Sequence, residues 1–204
     1  MKLDKYHKMG NKLVEKIFPP ELEAEIKLRL AELINENPND SKALRRHSYA
    51  VIYPMIAAVQ VRQKKGLEKS EAIAAVSQDY FQKFVLPNKK IMQKLLKFPL
   101  AYKFFIPICR LAMGTLYGEK AEFVNDLKVA KNNSYSYDVL KCPYHEICSR
   151  YNLAELVDTY CTTDDMVYGD LHEKIEFKRS KTLGRGDELC DFCFKEKSKT
   201  SGSK

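Results

Sequence analysis

Most of the short motifs that announce a chemistry are missing from this chain. It has no glycine-rich phosphate loop, no dinucleotide fingerprint, no His-Glu-x-x-His and no Gly-x-Ser-x-Gly. Glycine and proline are scarce, at eight each among 204 residues, while hydrophobic residues make up 45% and charged residues 30%. That balance excludes fibrous and disordered classes, and it suffices for one globular domain with a sizeable core. Tryptophan is absent as well, which excludes nothing.

Two kinds of apolar run are also lacking. The opening Met-Lys-Leu-Asp-Lys-Tyr-His-Lys-Met carries charge where a secretory peptide needs an uninterrupted apolar core, so a cytoplasmic location is expected. Without export, the six cysteines are expected as reduced thiols, metal ligands or nucleophiles rather than as a disulfide framework. Residues 98–117 are long enough to span a bilayer, but Pro99, Lys103, Pro107 and Arg110 interrupt them, where a span needs ~20 mostly apolar residues. No transmembrane segment is expected. A buried hairpin of two short helices is, with Cys109 as a core thiol.

What is abundant is positive charge. The net charge is +8, and much of the excess lies between residues 81 and 120, where Lys83, Lys89, Lys90, Lys94, Lys97, Lys103, Arg110 and Lys120 face the single acid Glu119. Aromatic residues do not interleave with these bases as in a nucleic-acid module, so that partner is set aside. Residues 89–97 form a basic amphipathic segment with two readings: a peripheral membrane face, or the solvated side of a packed helix. The second is preferred. Another share lies in a Ser-, Lys- and Gly-rich tail, expected to be flexible over 197–204.

Taken in order, the chain reads as helices followed by strands. Met9, Leu13, Ile17 and Phe18 repeat at helical spacing, and Pro19-Pro20 stops that helix and opens a second, with Ile26, Leu28, Leu30, Leu33 and Ile34 on its buried side. The turn at 37–41 introduces a third helix that bends near Pro54, and Ser70-Glu71 opens a fourth. Beyond Gly118, strands are expected at 127–130 and 135–140 around the turn Asn132-Asn133-Ser134. A helix from Pro143 and another from Leu153 or Ala154 come next, then strands at 174–183 and 188–195. The expected class is α+β: an N-terminal helical scaffold (1–118), then a small antiparallel sheet with inserted helices (119–196), together one compact domain.

The candidate chemistry lies in the last third. If residues 184–187 turn the final hairpin, Lys181 faces Cys190, Arg179 faces Phe192 and Phe177 faces Phe194, all on one face with Ile175. An arginine on an apolar face needs a partner, either an internal carboxylate, which is preferred, or an anionic ligand. Cys190 beside Arg179 and Lys181 is expected to have a lowered pKa, the alternative being a buried structural thiol. Cys161 shares a helix face with Asp158, Asp164 and Asp165. Acids disfavour its thiolate, so any attack by Cys161 needs an acid as its base or a cationic substrate. A metal alternative draws on Cys142-x2-His145 and Cys190-x2-Cys193, with Cys148, Cys161 and His172 as spares, for zinc or an iron–sulfur cluster. Against it, Cys190 and Cys193 point to opposite faces of their strand.

Cys142-Pro143, Cys161-x3-Asp165, Ile-x-Phe-x-Arg from Ile175, Thr182-Leu183 and Gly186-x3-Cys190-Asp191-Phe192 together resemble the C-terminal signature of the L-2-amino-thiazoline-4-carboxylic acid hydrolase family. The resemblance implies hydrolytic opening of a small cyclic amidine or isothiourea toward carbamoyl-cysteine, on a route to L-cysteine, with no required cofactor. It places Cys142, Cys161, Asp165, Arg179, Cys190 and Asp191 in one site. Arg179 would grip the substrate carboxylate and Asp165 the exocyclic nitrogen, and Cys190 is preferred to Cys161 as the attacking thiol. The alternative from another class is a non-catalytic small-molecule sensor or a Cys-rich metal-binding module.

Overall fold

The computed structural model describes residues 4–197, so the expected tail at 197–204 lies outside the described residues beyond Lys197. Asp4 accepts the Tyr6 N–H at 2.7 Å and opens α1 (Lys5–Ile17). Pro19 and Pro20 then separate it from α2 (Pro20–Glu36). α3 (Arg45–His47) passes through a π-helical turn (Ser48–Ile52) into α4 (Tyr53–Lys64). The widened turn ends just before Pro54, whose ring would collide with the carbonyl four residues back in a regular helix. The same arrangement recurs when α5 (Lys69–Tyr80) passes through a second π turn (Phe81–Val85) into α6 (Leu86–Leu96), which carries Pro87.

These helices bury one core containing Val14, Ile17, Ile26, Leu30, Leu33, Met55, Ile56 and Val59 without exposed surface. Leu28, expected on the buried side of α2, is instead 64% exposed. Two residues from both Ile26 and Leu30, it falls on the opposite side of a 3.6-residue helix.

Residues 98–117 depart from expectation. They form one helix, α7 (Tyr102–Leu116), rather than a buried hairpin. Pro107 sits within its first two turns and forfeits only the bond to the Lys103 carbonyl. Phe105 and Ile106 are buried, whereas Phe104, Ile108 and Leu111 remain 64%, 62% and 68% exposed, and Cys109 is only partly buried. No helix among the described residues is long and apolar enough to cross a membrane.

The second half is the expected small antiparallel sheet, making the fold α+β. β1 (Val124–Lys131) and β2 (Ser134–Lys141) form a hairpin about Asn132-Asn133, followed by α8 (Pro143–Arg150) and α9 (Val157–Tyr168). β3 (Ile175–Lys178) and β4 (Cys190–Glu196) complete the order β1-β2-β4-β3. Tyr135, Tyr137 and Val139 pair with Phe194, Phe192 and Cys190, and Phe177 lies opposite Phe194 as expected. With α7 this face encloses a second core, and Tyr144 packs against both.

β3 ends well short of its expected length, and the facing of Lys181 with Cys190 does not form. Asp191 explains why. Its carboxylate accepts the Ser180 and Lys181 N–H groups at 2.8 and 2.5 Å, and Asp187 accepts the Thr182 N–H at 2.7 Å. Backbone donors that would extend the ladder are diverted into a loop with a short 3₁₀ turn (Leu183–Arg185).

α1 crosses the helical core so closely that a Cβ on Gly10 would lie 2.3 Å from the Tyr49 carbonyl oxygen. That oxygen belongs to the backbone of a π turn and has little freedom to move. Gly10→Ala is expected to destabilise the protein by about 1–3 kcal/mol through overpacking, read as a lower urea midpoint at unchanged slope.

Candidate functional site

α9 turns one stripe inward. Val157, Tyr160, Cys161, Asp164 and Tyr168 recur at three- and four-residue intervals and all line a cavity of about 230 Å³. Opposite them stand Tyr137 and Val139 of β2, Cys190 and Phe192 of β4, Cys142 at the start of α8, and Met113 and Tyr117 of α7 or its end. The cavity occupies the seam between the helical core and the sheet core. It suits a small compound, since sites for drug-sized ligands run ~300–1,000 Å³.

The charged corner is built around Arg179, whose side chain is 1% exposed. Its Nη1 donates to Asp164 Oδ2 at 3.0 Å, and its Nη2 to Asp165 Oδ1 at 2.7 Å and to the Cys161 carbonyl at 2.6 Å. The guanidinium lies 5.1 Å from the centre of the Phe192 ring. An internal carboxylate is therefore its partner, as expected, and there are two. Among the described residues, Arg179 Nε and the Tyr160 hydroxyl are buried with no hydrogen-bond partner.

The two aspartates face different ways. Asp165 does not line the cavity. It lies between Arg179 and Arg185, whose Nη2 reaches Asp165 Oδ2 at 3.0 Å while its Nε holds Asp158 at 2.7 Å. Asp164 points inward. Its side chain keeps 34% of its surface accessible and lines the aromatic cavity. Burial, opposed by Arg179 and reinforced by the neighbouring charge of Asp165, pushes its carboxyl up to about 7.

Cys142, Cys161 and Cys190 are brought together on the cavity wall. The thiolate expected at Cys190 is reversed: burial pushes its pKa up, although Leu183 N–H donates to its Sγ at 3.2 Å and Arg179 favours the charge. Arg179 is already engaged by two carboxylates, and Lys181 is not across the ladder. Burial likewise raises Cys161 to about 12, and Cys142 to about 12 despite the favourable first-turn amides of α8. All three are neutral thiols near pH 7.

The other predicted residues fall elsewhere. Asp191 holds the β3–β4 loop as described above, away from the cavity lining. Hydrogen bonds from Ser180 and Lys181 hold its carboxyl below the usual range even though partial burial opposes this. Cys193 lies on the far face of β4 beside Ser136 and Lys178, and His145 lies outside the cavity lining. Among the described residues no group of three or more His, Cys, Asp or Glu side chains could hold a metal ion, so Cys142, His145, Cys161, Cys190 and Cys193 form no such centre.

Some of the site was not anticipated. Tyr80 and Tyr144 wall the cavity from helices far apart in the chain, and no local pattern signals that meeting. His47 supports the wall: its Nε2 lies 2.8 Å from the Leu116 carbonyl, which can only accept, so its Nδ1, 3.1 Å from the Tyr144 hydroxyl, is left as the acceptor. Gly184 is required for a different reason. A Cβ there would lie 2.8 Å from Cys161 Sγ and 2.9 Å from Val157 Cγ1, so the β3–β4 loop can close over α9 only without a side chain.

A family model described as L-2-amino-thiazoline-4-carboxylic acid hydrolase matches residues 45–194. No curated protein matches the chain. Two solved structures show a weak likeness. One is the NMR structure of an H-NOX domain from Shewanella oneidensis in the Fe(II)CO ligation state, at 14% identity over 92% of this chain and 97% of that one, with a TM-score of 0.35. The other is the crystal structure of an H-NOX protein from S. oneidensis in the Fe(II)NO ligation state, at 16% identity over 93% and 99%, with a TM-score of 0.31. Scores this low carry no argument about fold or function.

The two arginines of the corner differ in burial, and their removal should differ accordingly. Arg179→Met leaves two carboxylates without their buried partner and is expected to cost about 3–5 kcal/mol. Arg185, with a side chain 46% exposed, is expected to cost under ~1 kcal/mol when changed to Met. Urea unfolding of the two variants side by side measures the contrast.

Proposed function

The chain belongs to the L-2-amino-thiazoline-4-carboxylic acid hydrolase family, and on that premise we propose that its cavity hydrolyses a small cyclic amidine- or isothiourea-type compound such as L-2-amino-thiazoline-4-carboxylate. The observation that carries this reading is Asp164, a cavity carboxyl raised to about 7 beside a buried arginine and three neutral thiols. A carboxyl poised near neutrality can take a proton from a nucleophile and return it to a leaving group within one cycle.

The chemistry then needs little else. As carboxylate, Asp164 pairs with the cationic amidine and removes a proton as the nucleophile adds to the amidine carbon. Collapse of the tetrahedral adduct breaks the ring carbon–sulfur bond, Asp164 returns the proton to the departing sulfur, and the ring opens toward carbamoyl-cysteine. The nucleophile is water or the Cys161 thiol, one helical turn before Asp164. In the second case ring opening leaves the amidine carbon bonded to Cys161 as an isothiourea; water then adds to that carbon, the Cys161 thiol departs with a proton, and carbamoyl-cysteine is released. A thiol raised to about 12 does not ionise unaided, so a base beside it is a requirement of the thiol route. Arg179 Nε, unpartnered among the described residues, supplies a donor for the substrate carboxylate, and the Tyr160 hydroxyl supplies another. Asp165 orients Arg179 from outside the cavity.

The test is turnover of L-2-amino-thiazoline-4-carboxylate by the purified protein, following carbamoyl-cysteine. Turnover per enzyme is expected to fall as pH drops through about 7, because protonation removes the base. Asp164→Asn should lose ~10²–10⁴-fold and abolish that pH limb. Cys161→Ser distinguishes the routes: loss comparable to Asp164→Asn assigns the thiol, and near-normal turnover assigns water. Binding of the compound without product in the wild-type protein would overturn the hydrolase reading and leave a sensor.

A further inference from the structure

The bases between residues 81 and 120 are arranged in a way that the cavity does not use. Lys83 and Lys89 pair with Asp79 and Asp170. Lys90, Lys94, Lys97, Lys103 and Arg110 have no carboxylate partner among the described residues, and all five are exposed. Each immediately precedes a large apolar residue: Lys90-Ile91, Lys94-Leu95, Lys97-Phe98, Lys103-Phe104 and Arg110-Leu111. Those five apolar side chains are 56%, 57%, 66%, 64% and 68% exposed.

On α7, Phe104, Ile108 and Leu111 follow one another at four and three residues, a single stripe along the helix, with Lys103 and Arg110 along one edge. The other side of the same helix buries Phe105 and roofs the cavity with Met113. Isolated exposed leucines need no explanation, but a row of Phe, Ile and Leu bordered by bases does.

We propose that α7, with the preceding end of α6, is a surface that docks on an anionic phospholipid bilayer. The apolar stripe would enter the boundary between headgroups and acyl chains, and each adjacent base would extend its stem along that stripe to reach lipid phosphate. Charge decides between this occupant and a second copy of the chain. A two-fold pairing of this face would bring the same unpartnered bases together with no acid to offset them, whereas a bilayer of negative surface potential attracts them. Nothing here spans the membrane, and the proposal does not rest on the hydrolase reading.

Flotation of the full chain with phosphatidylcholine vesicles, with and without phosphatidylglycerol, tests it, together with sedimentation velocity without lipid. Strong partitioning into the anionic vesicles only is expected, falling roughly fivefold for each base neutralised and falling further at high salt. Phe104→Ser combined with Ile108→Ser should abolish binding while leaving the melting temperature unchanged, since both side chains are exposed. Equal binding to neutral vesicles, no binding of the folded wild-type chain, or unaltered binding by the serine variant would overturn it. So would a dimer that the serine substitutions dissociate, which would assign the face to a second copy.

Discussion

A guanidinium taken out of water at Arg179 must be met by negative charge and by hydrogen-bond acceptors, and the surrounding structure is arranged to supply both. Asp164, Asp165 and the Cys161 carbonyl all come from α9 and converge on it, while the Phe192 ring lies beside it. This single side chain ties the end of β3 to α9 across the seam between the two cores. Because Asp164 and Asp165 are consecutive, α9 can present both to one guanidinium only by aiming one inward and one outward. The inward carboxylate lines the cavity, and the outward one joins Arg185 in closing the corner.

The electrostatics of the cavity follow from that engagement. With Arg179 committed to two carboxylates, little positive potential is left to stabilise thiolates, and the three cysteines on the wall remain protonated. Burial acts on Asp164 in the same sense, toward its neutral form, but from a much lower starting point. Desolvation that makes the thiols inert on their own therefore brings the carboxyl into the range where acid–base chemistry operates. A small aromatic cavity thus holds a carboxyl whose charged and neutral forms are both within reach near neutrality.

α7 links this interior to the outer surface. One side completes the sheet core and closes the cavity through Met113, and the other presents Phe104, Ile108 and Leu111 to solvent beside unpartnered bases. Apolar on both sides, with Lys103 and Arg110 along one edge, α7 gives little polar surface to water.

The sequence alone determined the class and order of the elements, because helical and strand periods, proline stops and the Asn-Asn turn are local signals. It also carried the pairing of Phe177 with Phe194, set by the register of the final hairpin, and the need of Arg179 for an internal partner, set by the cost of burying charge. It placed Cys161 and Asp164 on one helix face as well. What it could not carry were properties that depend on distant segments meeting. Only the folded chain decided that Asp191 would end β3 by capturing backbone donors, and that Asp164 rather than Asp165 would face the cavity. The neutral state of Cys190 was decided there too. The length of α7 and the exposure of its outer face were likewise tertiary outcomes, since a period shows which residues share a face but not whether anything packs against it. Periodicity is written in neighbouring residues, whereas burial, and every pKa that burial sets, is written in contacts between residues the chain keeps far apart.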